Sequence, residues 1–291
     1  MSGIPDPSAP LTPTGNLRRR QVFSKVAEYG ATAAAVLAIA VLGIVVYTVL
    51  ARGAKALSLD FVFTAAPSGV GPELLGTSVI VLISTAIAMP LGVLIALFLS
   101  EYSGNRAAGA VRGTLDLMNG LPSIIIGLFI FGLVVKPMQQ QSAFAASVAL
   151  AIIELPLIAR GSQEILLLVP DSMREAAEAL GVARWRSVLG VILPSALGGI
   201  VTSTVLAVAR AAGETAPLIF ASSVFDSRHF SLNPFEALPN VPVMIYTLSE
   251  EGNPEGFTQA WGLSLLLVSM ILFASLGARA LLARSKRRMS S

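Results

Sequence analysis

The stretch AVARAAGETAPLIF, residues 207–220, sets an arginine and a glutamate four positions apart inside a run that otherwise reads as apolar helix. In water such a pair is unremarkable. At bilayer depth each charge costs about 2.5–3.5 kcal/mol, so Arg210 and Glu214 would have to face a protein interior or a water-filled cavity. Whether the chain lies in lipid therefore decides both its fold and the meaning of this pair.

Composition answers the first half. Of the 291 residues 54% are hydrophobic and only 13% charged, where soluble domains carry about 25% charged residues, and the mean hydropathy is +0.76. The absence of cysteine removes any disulfide framework or thiolate metal site. A helix crossing about 30 Å of hydrocarbon needs about 20 apolar residues. Working outward from residues 207–220, six segments reach that length, near 29–51, 74–99, 114–135, 143–169, 192–216 and 259–283. The expected fold class is an all-α membrane protein with six transmembrane helices in one domain, 29–283. The first apolar run follows the basic stretch NLRRRQVFSK, but it exceeds the 7–15 residues usual for a signal-peptide core and reads as a retained span. Residues 1–28 begin MSGIPDPSAPLTPTGN, rich in Pro, Ser and Gly, and read as a disordered cytoplasmic tail. Residues 284–291 read as a basic cytoplasmic tail.

Basic residues orient the spans. With the N-terminus inside, the inner segments hold Arg18, Arg19, Arg20, Lys25, Arg106, Arg112, Arg174, Arg184, Arg186, Arg279, Arg284, Lys286, Arg287 and Arg288. The outer segments hold Arg52, Lys55, Lys136 and Arg228, and Arg160 and Arg210 stay within spans. Both termini are therefore expected in the cytoplasm. The net charge of +3 follows from this topology, and nucleic-acid binding is not expected. The outer loop at 217–258 is acidic. Trp185, Trp261, Tyr29, Tyr47 and Tyr102 fall near expected interfaces and read as aromatic anchors.

Between the fourth and fifth spans, the cytoplasmic segment VPDSMREAAEALGVARWRSVLGVILP contains its own helix signals. Ser172 and Glu175 have the spacing of a capping box, and Gly181 suits the left-handed residue that closes a helix. A helix of about two turns is marginal alone in water. Either it packs against its own membrane helices or a partner covers it.

The residues Glu175, Ala176, Ala177, Gly181, Val191, Leu193 and Pro194 resemble the cytoplasmic loop of ABC importer permeases, with Val191 in place of isoleucine the one departure. The resemblance implies a type I ABC importer permease fold in which segment 170–191 is the coupling loop. Its helix would dock in a groove of a separate ATPase, with Glu175, Ala176, Ala177, Gly181, Leu193 and Pro194 as the coupling residues. No G-x-x-x-x-G-K-[ST] occurs in the chain, so the chain is expected not to be an enzyme, to bind no cofactor or metal, and to leave ATP and Mg to the partner ATPase. LDLMNGLPSIIIGLFIFG (115–132), RAAGETAPLIF (210–220) and PFEALPNVPVMIYTLSE (234–250) resemble the phosphate-specific transport permeases, the last pointing to the PstA-type subunit. That resemblance implies a bacterial cytoplasmic (inner) membrane location and inorganic phosphate as substrate. It also implies three kinds of partner: a homologous PstC-type permease, two copies of an ATP-binding subunit and an extracytoplasmic phosphate-binding protein.

Within this family the resemblance assigns phosphate translocation to Arg210, Glu214 and Thr215, and Glu154 is expected to join them. A guanidinium offers a planar donor fork that suits an oxyanion, while Glu214 would keep the anion from binding too tightly to leave. At i and i+4 Arg210 and Glu214 are expected to project from the same helix face, and Pro217 to end or kink that helix. At 1.5 Å per residue, Glu154 and Arg210 lie about 16 and 10 Å from the outer ends of their spans, which places them for a meeting across helices. An ion pair that only fixes helix packing is the competing account of Arg210 and Glu214. Arg160 and Glu164 repeat the i,i+4 spacing nearer the cytoplasm, where snorkelling and interhelical packing explain them as well as transport does, and Asp116 reads as interfacial. Other oxyanions, molybdate or sulfate, remain open as substrates. So does a proton-coupled secondary transporter, although no inverted repeat is visible. An intramembrane hydrolase would need a nucleophile with a base or a metal pair, and the single histidine, His229, sits alone in an outer loop.

Overall fold

The computed structural model describes residues 17–66, 68–101, 104, 106–224 and 229–289. The tail before Leu17, Tyr102 and Arg228 lie outside the described residues. Among the described residues every regular element is helical. Five helices are long and apolar enough to cross a membrane, and a sharply bent pair makes a sixth if it counts as one span.

The chain divides into two units at Ala51. The first is the helix α1 (Leu17–Gly53) up to that point. It starts well before residue 29, so residues 17–28 are helical rather than part of a disordered tail. Nothing in LRRRQVFSKVAE breaks a helix, the nearest Pro and Gly before it being Pro13 and Gly15, and most of its residues are fair to good helix formers. Val36, Leu37, Ile39, Leu42 and Ile44 are exposed on it, as on a helix whose solvent is hydrocarbon.

The second unit begins with a short helix, α2 (Leu59–Phe63), capped by the Ser58 hydroxyl. It is built around α3 (Gly71–Glu101) and α7 (Ala143–Leu167). Lipid tails are as apolar as leucine, so helices in a membrane associate through close packing of small residues. Along α7 the face that does this is Ala143, Ala146, Ala149 and Leu150, all buried with Ile80 of α3. Between α3 and α7 the chain forms α4 (Arg106–Gly120), α5 (Ser123–Ile130), a π-turn at Phe131–Val135 and the single turn α6 (Lys136–Met138). The expected straight span at 114–135 is thus broken: α4 and α5 meet at 100°. Pro122 is the cause, since a proline excludes the helical conformation from the residue before it, and Gly120 places no side chain in the bend.

After α7 come α8 (Asp171–Ala179), α9 (Arg184–Ser187), a second π-turn at Val188–Ile192 and α10 (Leu193–Ala211). Both π-turns run straight into a proline, Pro137 and Pro194. A proline ring clashes with the carbonyl four residues back, and the wider i→i+5 turn makes room for it. The backbone N–H of Lys136 accordingly bonds to Phe131, and that of Leu193 to Val188.

The chain ends with α11 (Ala216–Ala221), α12 (Val241–Glu250) and α13 (Pro254–Met289). Residues 284–289 continue α13 instead of forming a separate tail, because SKRRM contains no helix breaker. The connection from α11 to α12 is fixed on α3 and α7 by backbone bonds. The N–H groups of Ser142 and Ala143 donate to Ala221 and Glu236 at 2.9 and 2.7 Å, and Thr77 Oγ1 accepts from Val241 N–H at 2.9 Å. Gly76 lies under this connection, and a Cβ there would stand 2.0 Å from the Pro239 carbonyl oxygen. Backbone cannot yield locally, so Gly76→Ala should lower stability by about 1–3 kcal/mol. Thermal unfolding of the detergent-purified protein would show a lower midpoint than wild type.

Candidate functional site

Arg210 lies in the last turn of α10, which ends at Ala211, earlier than the expected span. Pro217 begins the next helix rather than ending this one. Two tight turns intervene, with Gly213 N–H donating to Arg210 and Glu214 N–H to Ala211 at 3.1 and 3.0 Å. Arg210 and Glu214 therefore do not share a helix face. The turn folds Glu214 back instead, leaving Arg210 Nε 3.7 Å from Glu214 Oε1, an ion pair too long to be a hydrogen bond. The Arg210 side chain is 63% exposed against 18% for Glu214.

Both side chains face a cavity of about 170 Å³ at the α4–α5 break, whose other walls include Met118, Asn119, Ser123 and Ile153. Bending the third apolar stretch by 100° is what opens this space beside the end of α10. Thr215 is half-buried at the start of α11, and its carbonyl accepts from Leu218 and Ile219 at 3.1 and 3.2 Å. Its side chain is not part of the cavity wall.

Glu154 does not meet Arg210. It is fully buried in α7 and turned toward α3, where its Oε1 accepts from Ser84 Oγ at 2.7 Å. A one-position difference decides this: Ile153 lines the cavity, and the next residue on a helix points about a quarter-turn away. Arg160 likewise pairs away from its own helix. Its Nη2 bonds to Asp116 and, at 3.2 Å, to the carbonyl of Arg112, both on α4. Arg160 thus latches α7 to α4, the interhelical packing expected of it, while Glu164, at i+4, is exposed.

At the end of the bundle where α3 finishes, α8 and α9 form a clamped loop. Glu101 has a side chain only 4% exposed and holds two arginines, Arg174 at 3.3 Å and Arg184 at 3.4 Å. Arg174 also donates to the carbonyls of Leu166 and Val169 at 3.1 and 2.8 Å, satisfying orphan acceptors at the end of α7. The Ser172–Glu175 capping box does not form. α8 starts two residues earlier than that box requires, with Pro170 at the N-cap and no side-chain cap, so Ser172 is already inside the helix. Gly181 closes it as expected. Its φ is +70°, its N–H donates to Glu178 at 2.9 Å, and Val182 N–H donates to Ala177 at 3.0 Å, the paired bonds of a Schellman motif.

Of the six expected coupling residues, Glu175, Ala176 and Gly181 are exposed and Ala177 is buried against the bundle. Leu193 and Pro194 belong to α10, where Leu193 packs on the core around Ile192 and Ala196. Leu180 and Trp185 are 82% and 61% exposed on the loop. One face of the loop thus packs on its own helices, and the other is open, with Leu180 and Trp185 set among Glu175, Glu178 and Arg186.

A family model described as "Binding-protein-dependent transport system inner membrane component" matches residues 88–291, from within α3 through both sites. The chain belongs to this family of transport-system inner membrane components. The phosphate transport system permease protein PstA 1 of Mycobacterium tuberculosis (strain CDC 1551 / Oshkosh) is 36% identical over 273 residues, 89% of this chain and 88% of that one. The phosphate transport system permease protein PstA of Yersinia pestis is 33% identical over 250 residues, 83% and 84% of the two chains. An inward-facing structure of the MetNI methionine ABC transporter aligns with a TM-score of 0.56 at 23% identity, covering 73% of this chain and 94% of its own. That likeness establishes the type I ABC importer permease fold. As a binding-protein-dependent inner membrane component, the chain is a multi-pass transport subunit that works with an ATPase and a substrate-binding protein.

Sequence reasoning missed the Asp116–Arg160 latch and the Glu101 clamp in this inner membrane component, because both join residues far apart in the chain. The signal available was an acidic residue at the end of an apolar span facing two loop arginines. Glu101→Ala leaves Arg174 and Arg184 without their shared carboxylate; Arg174 keeps Asp171 at 3.0 Å and Arg184 is 55% exposed, so the loss should be about 1–3 kcal/mol. Limited proteolysis should then cut between Val182 and Trp185 faster than in wild type, with no matching change at the α11–α12 connection.

Proposed function

We propose that this chain is the PstA-type permease subunit of an ATP-driven importer of inorganic phosphate. The observation that carries the reading is Arg210. It is a membrane-embedded guanidinium whose terminal nitrogens have no partner among the described residues, facing a cavity of anion size. A charge that is expensive at this depth and only loosely countered is available for an anionic cargo. The names of the relatives supply the candidate cargo.

In this reading both termini lie in the cytoplasm, as the basic residues favour. An extracytoplasmic phosphate-binding protein delivers the anion from the side of the α11–α12 connection. Phosphate exchanges its water for the Arg210 fork, and Glu214, 3.7 Å from Nε, competes for the same cation and so speeds release. Half of the pathway comes from a homologous PstC-type permease. Two ATP-binding subunits hydrolyse ATP with Mg and drive the change of access through α8, whose exposed Glu175, Ala176 and Gly181, with Leu180 and Trp185 beside them, form the contact. Glu101 transmits the push, since it ties that loop to α3.

The test is uptake of radiolabelled phosphate at low external concentration, in cells with equal membrane amounts of each variant. Arg210→Ala should abolish uptake by removing the anion's cation. Gly181→Val should also abolish it, because valine resists a φ of +70° and the contact loop loses its shape. Uptake should be vanadate-sensitive and persist when proton uncouplers are added with ATP maintained. Normal phosphate uptake in Arg210→Ala, or entry of molybdate or sulfate in place of phosphate, would overturn the reading.

A further inference from the structure

We infer that Asn119 and Ser123, on either side of the α4–α5 break, are direct ligands of the transported oxyanion beside Arg210. The inference rests on the reading of Arg210 given above and names the rest of its site.

Four polar side chains line the cavity, Asn119, Ser123, Arg210 and Glu214, and its remaining walls are Met118, Ile126, Ile153, Leu157 and the two residues of the break. The cavity is therefore apolar except where these four converge. Neither the Asn119 amide nor the Ser123 hydroxyl takes part in a hydrogen bond within the chain among the described residues, and Asn119 is exposed while Ser123 is half-buried. An amide without a partner is costly next to hydrocarbon. Elsewhere in the helices serine and threonine hydroxyls return to the carbonyl one turn back, as Thr77, Ser78, Ser147, Thr204 and Ser264 do. Ser123 has no such carbonyl to use. It is the first residue of α5, and one turn back lie Asn119 and Gly120, on the far side of a 100° bend. The break therefore leaves Ser123 free and presents Asn119 from the other arm, so the two point into one space.

Their chemistry complements the guanidinium. Arg210 supplies charge and can only donate. An amide and a hydroxyl donate to anion oxygens and can also accept a hydrogen bond from the P–OH that a hydrogenphosphate still carries. Neutral ligands also hold an anion without adding to its retention by charge, which a pathway needs for release. The cavity volume of about 170 Å³ is several times the roughly 30 Å³ share of one water, which matches an anion of a few heavy atoms.

The experiment is phosphate uptake by the complete transporter in cells, at matched membrane abundance. It compares wild type with Asn119→Leu, Ser123→Ala, Arg210→Ala and the conservative Asn119→Gln and Ser123→Thr. Each lost hydrogen bond to an anion should reduce uptake at low phosphate by about ten-fold or more. The loss should appear chiefly as a raised KM, ATP hydrolysis stimulated by the binding protein should persist, and Ser123→Thr should recover most of the rate. If Asn119→Leu and Ser123→Ala transport like wild type while Arg210→Ala fails, the inference is overturned and the phosphate reading stands. If stimulated ATP hydrolysis is lost along with uptake, these residues hold the break in shape and are not ligands, which also overturns the inference. Normal uptake in all variants, Arg210→Ala included, overturns the phosphate reading with it.

Discussion

Hydrocarbon offers no hydrogen bonds, and that constraint organises the molecule. Every polar group placed at bilayer depth must find a partner inside the protein or face a water-filled space. Glu154 meets it through Oε1, which accepts from Ser84, while its buried Oε2 has no hydrogen-bond partner among the described residues; Arg160 reaches Asp116 and a carbonyl of α4, and Ser147 bonds to two backbone carbonyls at 2.8 and 3.1 Å. Arg210 is treated differently. Its one counter-charge stands 3.7 Å away and most of the side chain is exposed. The contrast is between two arginines, Arg160 tied into α4 by a carboxylate and a carbonyl and Arg210 only loosely countered.

Proline supplies the second constraint. Pro122 breaks the third apolar stretch and so opens the cavity, and Pro137 and Pro194 each follow a π-turn. Pro217 starts α11 after the turns that fold Glu214 back on Arg210. A straight six-helix bundle would bury the same apolar surface with no such site. The irregular backbone occurs at the cavity or at the ends of the bundle, where freed N–H and C=O groups can be re-satisfied.

Much of this was legible in the sequence, for physical reasons. Span lengths follow from bilayer thickness, so the apolar runs around α3, α7, α10 and α13 were found to within a few residues. Gly181 was found because only a left-handed closing residue explains a glycine there. The proximity of Arg210 and Glu214 was also foreseen, although through the wrong geometry: a turn brings them together, not a helix face. What was not legible depends on distance along the chain. The Glu101 clamp joins residues 73 and 83 positions apart, and Glu154 turns from the cavity because of a rotation of about 100° per residue. The capping box failed for a local reason, since Pro170 takes the N-cap position two residues early and makes Ser172 an interior position.

The central claim is that the α4–α5 break, with Arg210, forms a water-filled anion site inside the membrane. The chain contains no cysteine, so a single Leu121→Cys at the break reports on that space directly. In the complete transporter held open by its binding protein, a membrane-impermeant thiol reagent should label Cys-substituted position 121, and phosphate should slow the labelling while chloride does not. Absence of labelling, or labelling at the same rate with and without phosphate, would contradict the account.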